Sequence, residues 1–337
     1  MDVLVRRPGD EIPGASRDGV LTCALVNNMP DGALAHTKRQ FVAVLEGVRA
    51  PVAVELREYS LPSLRRAAPA AAHVERACFT FDDLLESRPD AVIVTGAEPA
   101  TARLEDEAYW DDLVEVIEWA VAGSGSLLLS CLAAHAALLA LDDIARVRLD
   151  SKRTGVFEQS VDTSRPLAAG LPGTVRLPHS RLNDVPTDEV RGAGYDVLVA
   201  SPDVGWSVVG RRIGGCEVLL CQGHPEYGAT SLLREYRRDV ERFVTGASPV
   251  APVLPVGCVA PEDEETILVF HERVLAGRCG SDPTTALAFD ELASRVRQPW
   301  QSFASELFGR WLGLGSGARS VSGHRRETPD PARATAN

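Results

Sequence analysis

The sequence predicts an α/β fold, a mostly parallel sheet with helices on both faces. Two observations lead there. Strand-like and helix-like segments alternate along the chain, the pattern of strands joined by crossover helices. Glycine- and proline-bearing turns such as Gly96-Ala97-Glu98-Pro99 and Gly123-Ser124-Gly125 punctuate those segments where strands end or begin.

Taken in order, residues 20–27 (VLTCALVN) read as a buried first strand and 34–48 as the helix after it. A second strand is expected at 52–58, a helix at 80–87, and a strand at 90–95 (DAVIVT) that ends in the GAEP turn. Residues 107–122 carry apolar side chains at helical spacing, with Tyr109, Trp110 and Trp119 packing that helix on the sheet. SLLLS at 126–130 is the next strand. Cys131 stands where it stops, and the alanine- and leucine-rich LAAHAALLAL beyond is a strong helix by propensity. From 150 to 215 shorter strands and turns suggest a β-rich continuation of the same sheet. A strand at 217–221 delivers Gln222-Gly223-His224-Pro225-Glu226, and 230–245 is an amphipathic helix. The core, residues 1–250, closes there. Residues 251–312 are expected to form a helical extension packing on it, with two helices within 266–297 and a last one at 299–312. Residues 313–337 lack periodicity and have the composition of a disordered tail.

Of the 337 residues, 45% are hydrophobic and 24% charged, the balance of an ordinary globular chain. The net charge of -12, from 47 acidic and 35 basic residues, argues against a broad nucleic-acid footprint. The seven cysteines include no C-x-x-C pair, which fits neither a disulfide framework nor a zinc knuckle, so reduced thiols and no metal site are expected. No segment has about 18 consecutive apolar residues and the N-terminus lacks an apolar signal region, so a cytoplasmic protein without a membrane span is expected. Lys38 and Lys152 are the only lysines, so each stands out against the arginines.

A cysteine that ends a buried strand and opens a helix sits where backbone N–H groups and the helix dipole stabilise a thiolate. For a lone cysteine the better reading is a small buried hydrophobe. His224-Pro225-Glu226 changes that balance, because it ends another strand and so reaches the same carboxyl-end rim, where open α/β sheets place their sites. Cys131 is the candidate nucleophile, His224 the base, and Glu226 the carboxylate that orients the imidazole. The turn at Gly96 and Ala97 and the N–H of Leu132 are candidate oxyanion donors. His135, one helical turn after Cys131, and His179, placed in a loop before Ser180, read as structural.

Several runs together resemble one family: VNNMPD at 26–31, VTGAEP with EAYW, LLLSCLAAHAAL, SKRTGVFEQ, PHSR at 178–181, GHPEY at 223–227 with Arg238 downstream, and the closing LFGRWL. They resemble the homoserine O-succinyltransferases, acyltransferases on a class I glutamine-amidotransferase-like fold, over roughly residues 20–247 and again near 299. The resemblance implies a homodimer and no permanent cofactor. It implies ping-pong transfer from succinyl-CoA or acetyl-CoA through a Cys131 thioester to a hydroxyl activated by His224. It further implies substrate binding by Lys152, Ser180 and Arg238, and Ala100 as the turn residue that separates succinyl from acetyl users, its small side chain favouring succinyl. Homoserine, serine and a related amino alcohol all remain open as acceptors. The chain departs from the family at DGALAHTKRQF, which is two residues longer than the usual segment and basic at Lys38 and Arg39. Glutamine hydrolysis is the alternative reading, but those enzymes flank their nucleophile with glycines where this chain has Leu129 and Ala133. A catalytically silent binding protein is the other.

Overall fold

The computed structural model describes residues 1–10, 19–278 and 287–314. Among them, ten strands form one sheet: β1 (Asp2–Arg6), β2 (Val20–Val26), β3 (Ala53–Tyr59), β4 (Ala91–Val94), β5 (Ser126–Ser130), β6 (Val147–Val161), β7 (Thr174–Asp184), β8 (Asp196–Ser201), β9 (Gly205–Ile213) and β10 (Cys216–Cys221). Their spatial order is β1-β3-β2-β4-β5-β10-β9-β8-β6-β7. The pairs from β1 through to β10 are parallel, and those from β10 to β7 antiparallel. The expected continuation of the sheet is therefore an antiparallel wing.

The helices are α1 (Leu34–Glu46), α2 (Ala68–Ala77), α3 (Phe81–Glu86), α4 (Trp110–Gly123), α5 (Leu132–Asp142), α6 (Thr187–Gly192), α7 (Ser231–Val244), α8 (Glu264–Leu275), α9 (Phe289–Arg295) and α10 (Gln301–Trp311). None is long and apolar enough to cross a membrane. The central strands are apolar along most of their length because both faces are covered. Leu128, Leu219 and Cys221 pack on one side with α1 and α10, and Leu127, Leu129, Val218 and Leu220 pack on the other with α4 and α5. Trp300, Phe303, Leu307, Phe308 and Trp311 belong to the first of these clusters, so the last helix is built into the sheet's own core. Of the tail expected at 313–337, the part from residue 315 on lies outside the described residues.

Three elements differ from the sequence reading. β1 is a half-exposed edge strand, so it shows no buried alternation to betray it. α2 buries no residue at all and lacks the apolar stripe that marks a helix. His179 and Ser180 lie within β7 rather than in a loop. Pro178 is accommodated within that strand because β7 is the last strand of the sheet, where a missing N–H costs no ladder bond.

Gly155 sits on β6 at φ +148°, and a Cβ there would stand 2.6 Å from the Val256 carbonyl oxygen. That approach lets the segment after α7 bond to the wing, with Val156 N–H donating to Val256 O at 2.8 Å. Gly155→Ala is expected to destabilise the fold by about 2 kcal/mol or more, read as a lower Tm.

Candidate active site

β5 ends at Ser130, and the chain turns at Cys131 with φ 53° and ψ -110° before entering α5. A non-glycine residue rarely holds a positive φ, and such strain gathers where a side chain must be presented. Cys131 is half-buried, and its N–H donates to Cys221 O on the neighbouring strand at 2.7 Å. The elbow is thus fixed to the strand that delivers the histidine. Gly96 lies against it, since a Cβ on Gly96 would be 3.3 Å from Leu132 N and 3.3 Å from Ser130 O. Glycine is what allows the turn at Gly96 and Ala97 to approach the first N–H of α5, which has no partner within its own helix.

Ten residues of parallel register carry the second part of the site to the first. Ser130 pairs with Cys221 across β5 and β10. The chain then bends, with Gln222 and Gly223 N–H donating to Ser207 O and His224 N–H to Pro178 O at 2.9 Å. His224 Nδ1 lies 2.9 Å from Glu226 Oε1, and both side chains are buried. Its Nε2 is buried without an in-line hydrogen bond and interacts with the Cys131 side chain. Burial alone pushes the imidazole down, but the Glu226 carboxylate and the neighbouring Cys131 side chain outweigh it and hold the His224 pKa well above its ordinary value. Tyr227 stacks on the imidazole at 4.0 Å between ring centroids. Its carbonyl accepts from Trp300 Nε1 and Gln298 Nε2, each at 2.8 Å, so the C-terminal segment clamps this loop.

The three binding candidates converge as well. Lys152 lies in the part of β6 where register with β7 is interrupted, an irregularity that re-aims side chains. Its ammonium is 2.7 Å from Asp239 Oδ2 and 3.7 Å from Glu235 Oε2. Arg238 bonds the other oxygen of Asp239 at 3.0 Å. Ser180 Oγ donates to Glu235, as does the Tyr227 hydroxyl. Glu235 and Asp239 were missed from sequence. The only signal was helical spacing, since residues 235, 238 and 239 share one turn of α7 just after GHPEY. Ala100 is exposed on the loop between β4 and α4, whose shape is held by Glu107 accepting from Thr101 N–H and Oγ at 2.7 Å.

His135 and His179 lie below the site. His135 bonds Gln222 Oε1 at 2.8 Å, and burial pushes its pKa down to about 4. His179 is enclosed by Ser207 and Gln159, and burial together with the Arg181 charge keeps it neutral, its pKa well below the ordinary value. Lys38, conspicuous in the sequence, is held 2.7 Å from the buried carboxylate of Glu58, which also accepts from Asn27 at 2.7 Å. Lys38 of the basic insertion is therefore balanced by a buried carboxylate, while Arg39 is exposed.

Residues 15–316 match a family model described as homoserine O-succinyltransferase. The homoserine O-succinyltransferase of Rhodopseudomonas palustris is 39% identical over 295 residues, 87% of each chain. That of Bradyrhizobium japonicum is 41% identical over 301 residues, 88% of this chain and 91% of its own. Among solved structures, a glutamine amidotransferase from Thermotoga maritima aligns over 88% of this chain and 99% of its own with 13% identity and a TM-score of 0.47.

Proposed function

Because this chain belongs to the homoserine O-succinyltransferase family, we propose that it moves a succinyl group from succinyl-CoA, through a thioester on Cys131, to the hydroxyl of homoserine. It is an O-acyltransferase of amino-acid biosynthesis, and homoserine is its acceptor. The observation that carries the mechanism is the meeting of Cys131, His224 and Glu226 at the carboxyl ends of β5 and β10.

In the first half-reaction the Cys131 sulfur attacks the thioester carbonyl, and the oxyanion that forms faces the Leu132 N–H and the turn at Gly96 and Ala97. Collapse breaks the bond to the CoA sulfur, which takes the proton from His224 and leaves as the thiol. In the second, the now neutral His224 Nε2 takes the proton of the acceptor hydroxyl. That oxygen attacks the Cys131 thioester, and the sulfur departs as thiolate beside the imidazolium. Acylation caps the Cys131 side chain that helps hold the His224 pKa up, so the same imidazole becomes a better-placed base once the acyl group is on. Lys152 and Arg238, both anchored on Asp239, offer cations to the acceptor carboxylate, and Glu235 an anion to its ammonium. Ala100 leaves room beside the acyl group.

Release of CoA with each pairing of succinyl-CoA or acetyl-CoA with homoserine or serine tests the reading. Succinyl-CoA with homoserine is expected to react fastest and to yield O-succinylhomoserine. Folded protein that releases no CoA with homoserine from either donor would overturn it. Glu235→Gln and Lys152→Met are each expected to raise KM for homoserine by about 10- to 100-fold while the acylation rate with succinyl-CoA stays within about threefold.

A further inference from the structure

The Glu226 carboxylate has a second partner that no part of the mechanism above uses. Its Oε1, the oxygen that faces His224 Nδ1, also accepts a hydrogen bond from Ser130 Oγ at 2.8 Å. Ser130 is the last residue of β5 and directly precedes the nucleophile. It is 2% exposed, so its hydroxyl has no water to turn to. Strand parity explains the contact. Leu128 and Cys221 point to the α1 and α10 side of the sheet, and Ser130, two residues after Leu128 and in register with Cys221, points the same way, toward the loop that carries Glu226. An apolar side chain at this end of β5 would leave the carboxylate with a single donor in a buried place.

We propose that Ser130 is a positioning residue for acyl transfer, closing a loop in which Cys131, His224 and Glu226 are tied back to the strand residue adjoining the nucleophile. This rests on the assignment of His224 and Glu226 as base and orienting carboxylate. The hydrogen bond does two things. It fixes the rotamer of Glu226, and hence the plane of the imidazole relative to the sulfur. It also draws part of the carboxylate charge away from His224 Nδ1. Without it, the full charge of Glu226 falls on the imidazole, and a base that must be neutral to accept the homoserine proton stays protonated to higher pH.

The test is Ser130→Ala, followed as kcat and KM for homoserine across pH, with Ser130→Thr as the variant that restores a hydroxyl. Ser130→Ala is expected to lower kcat about tenfold at neutral pH with KM for homoserine unchanged, and to move the acidic limb of the homoserine half-reaction upward by about half a pH unit. Ser130→Thr is expected to return the limb to its wild-type position. In a Glu226→Gln background, Ser130→Ala is expected to add less than about a twofold further loss, because it acts through the carboxylate. An unmoved limb, or the same tenfold loss with and without Glu226, overturns the proposal; so does a rise in KM at constant kcat. Wild-type activity in Glu226→Gln alone would instead sink the assignment of the triad, so the two failures are distinguishable.

Discussion

Cys131→Ala is expected to lower kcat/KM for acyl transfer by at least about 10⁴-fold while leaving the fold and homoserine binding intact. The size follows from what the sulfur does. In the proposed mechanism it forms and breaks the covalent bond in both half-reactions, and neither of the nearby side chains that could attack in its place is positioned to do so. Ser130, which precedes Cys131, is buried and bonded to Glu226, and Cys221 is enclosed in the core, where burial and the Glu226 charge push its thiol well up. Cys131→Ser is expected to recover little of the loss, because an alkoxide is far harder to generate beside the same imidazole. Separate rates of CoA release and of homoserine discharge check this, and both should vanish together. Circular dichroism and Tm unchanged from wild type would exclude unfolding, since the side chain is only half-buried.

His224→Gln is the second large effect, expected at about 10³-fold in kcat with KM for homoserine nearly unchanged. In the proposed mechanism the imidazole moves a proton in each half-reaction, whereas Lys152, Arg238 and Glu235, the charges proposed to bind the acceptor, remain. Glu226→Gln should be milder, about 10²-fold, and is informative for its pH profile. The His224 pKa stands well above the ordinary value because the Glu226 carboxylate and the Cys131 sulfur oppose burial. Removing the carboxylate charge leaves burial to act more freely, so the pKa falls. The homoserine half-reaction needs the neutral imidazole, which prevails above that pKa, so its acidic limb moves to lower pH in Glu226→Gln even as the plateau drops. A limb that moved upward, or stayed in place, would mean that Glu226 does not face the reacting histidine as its charge requires.

What was legible in the sequence was the part of the site fixed by strand ends. An apolar run that stops at Cys131 and another that stops before His224 place both at one rim of a parallel sheet, and sheet register then brings them together. What could not be read were contacts made by side chains that look ordinary in their own elements. Ser130 reads as the end of a strand, and Glu235 and Asp239 read as the polar face of an amphipathic helix. Only the packing of α7 against β6 and β7 turns that face toward Lys152 and Ser180. The reach of the C-terminal segment was hidden for the same reason. Nothing in residues 298–300 announces that Gln298 and Trp300 hold the Tyr227 carbonyl beneath the stacked imidazole. Lys38, singled out for rarity, pairs with the buried Glu58, whereas Lys152, singled out on the same ground, lies beside Glu235 and Asp239 in the cluster proposed to bind substrate.

Intact-protein mass spectrometry, on samples quenched after mixing with succinyl-CoA in the absence of acceptor, puts the covalent step under direct view. One succinyl adduct should appear, map to Cys131, and disappear with formation of O-succinylhomoserine when homoserine is added. An adduct carried by another residue, or product formed at the full rate by Cys131→Ala, would contradict the account.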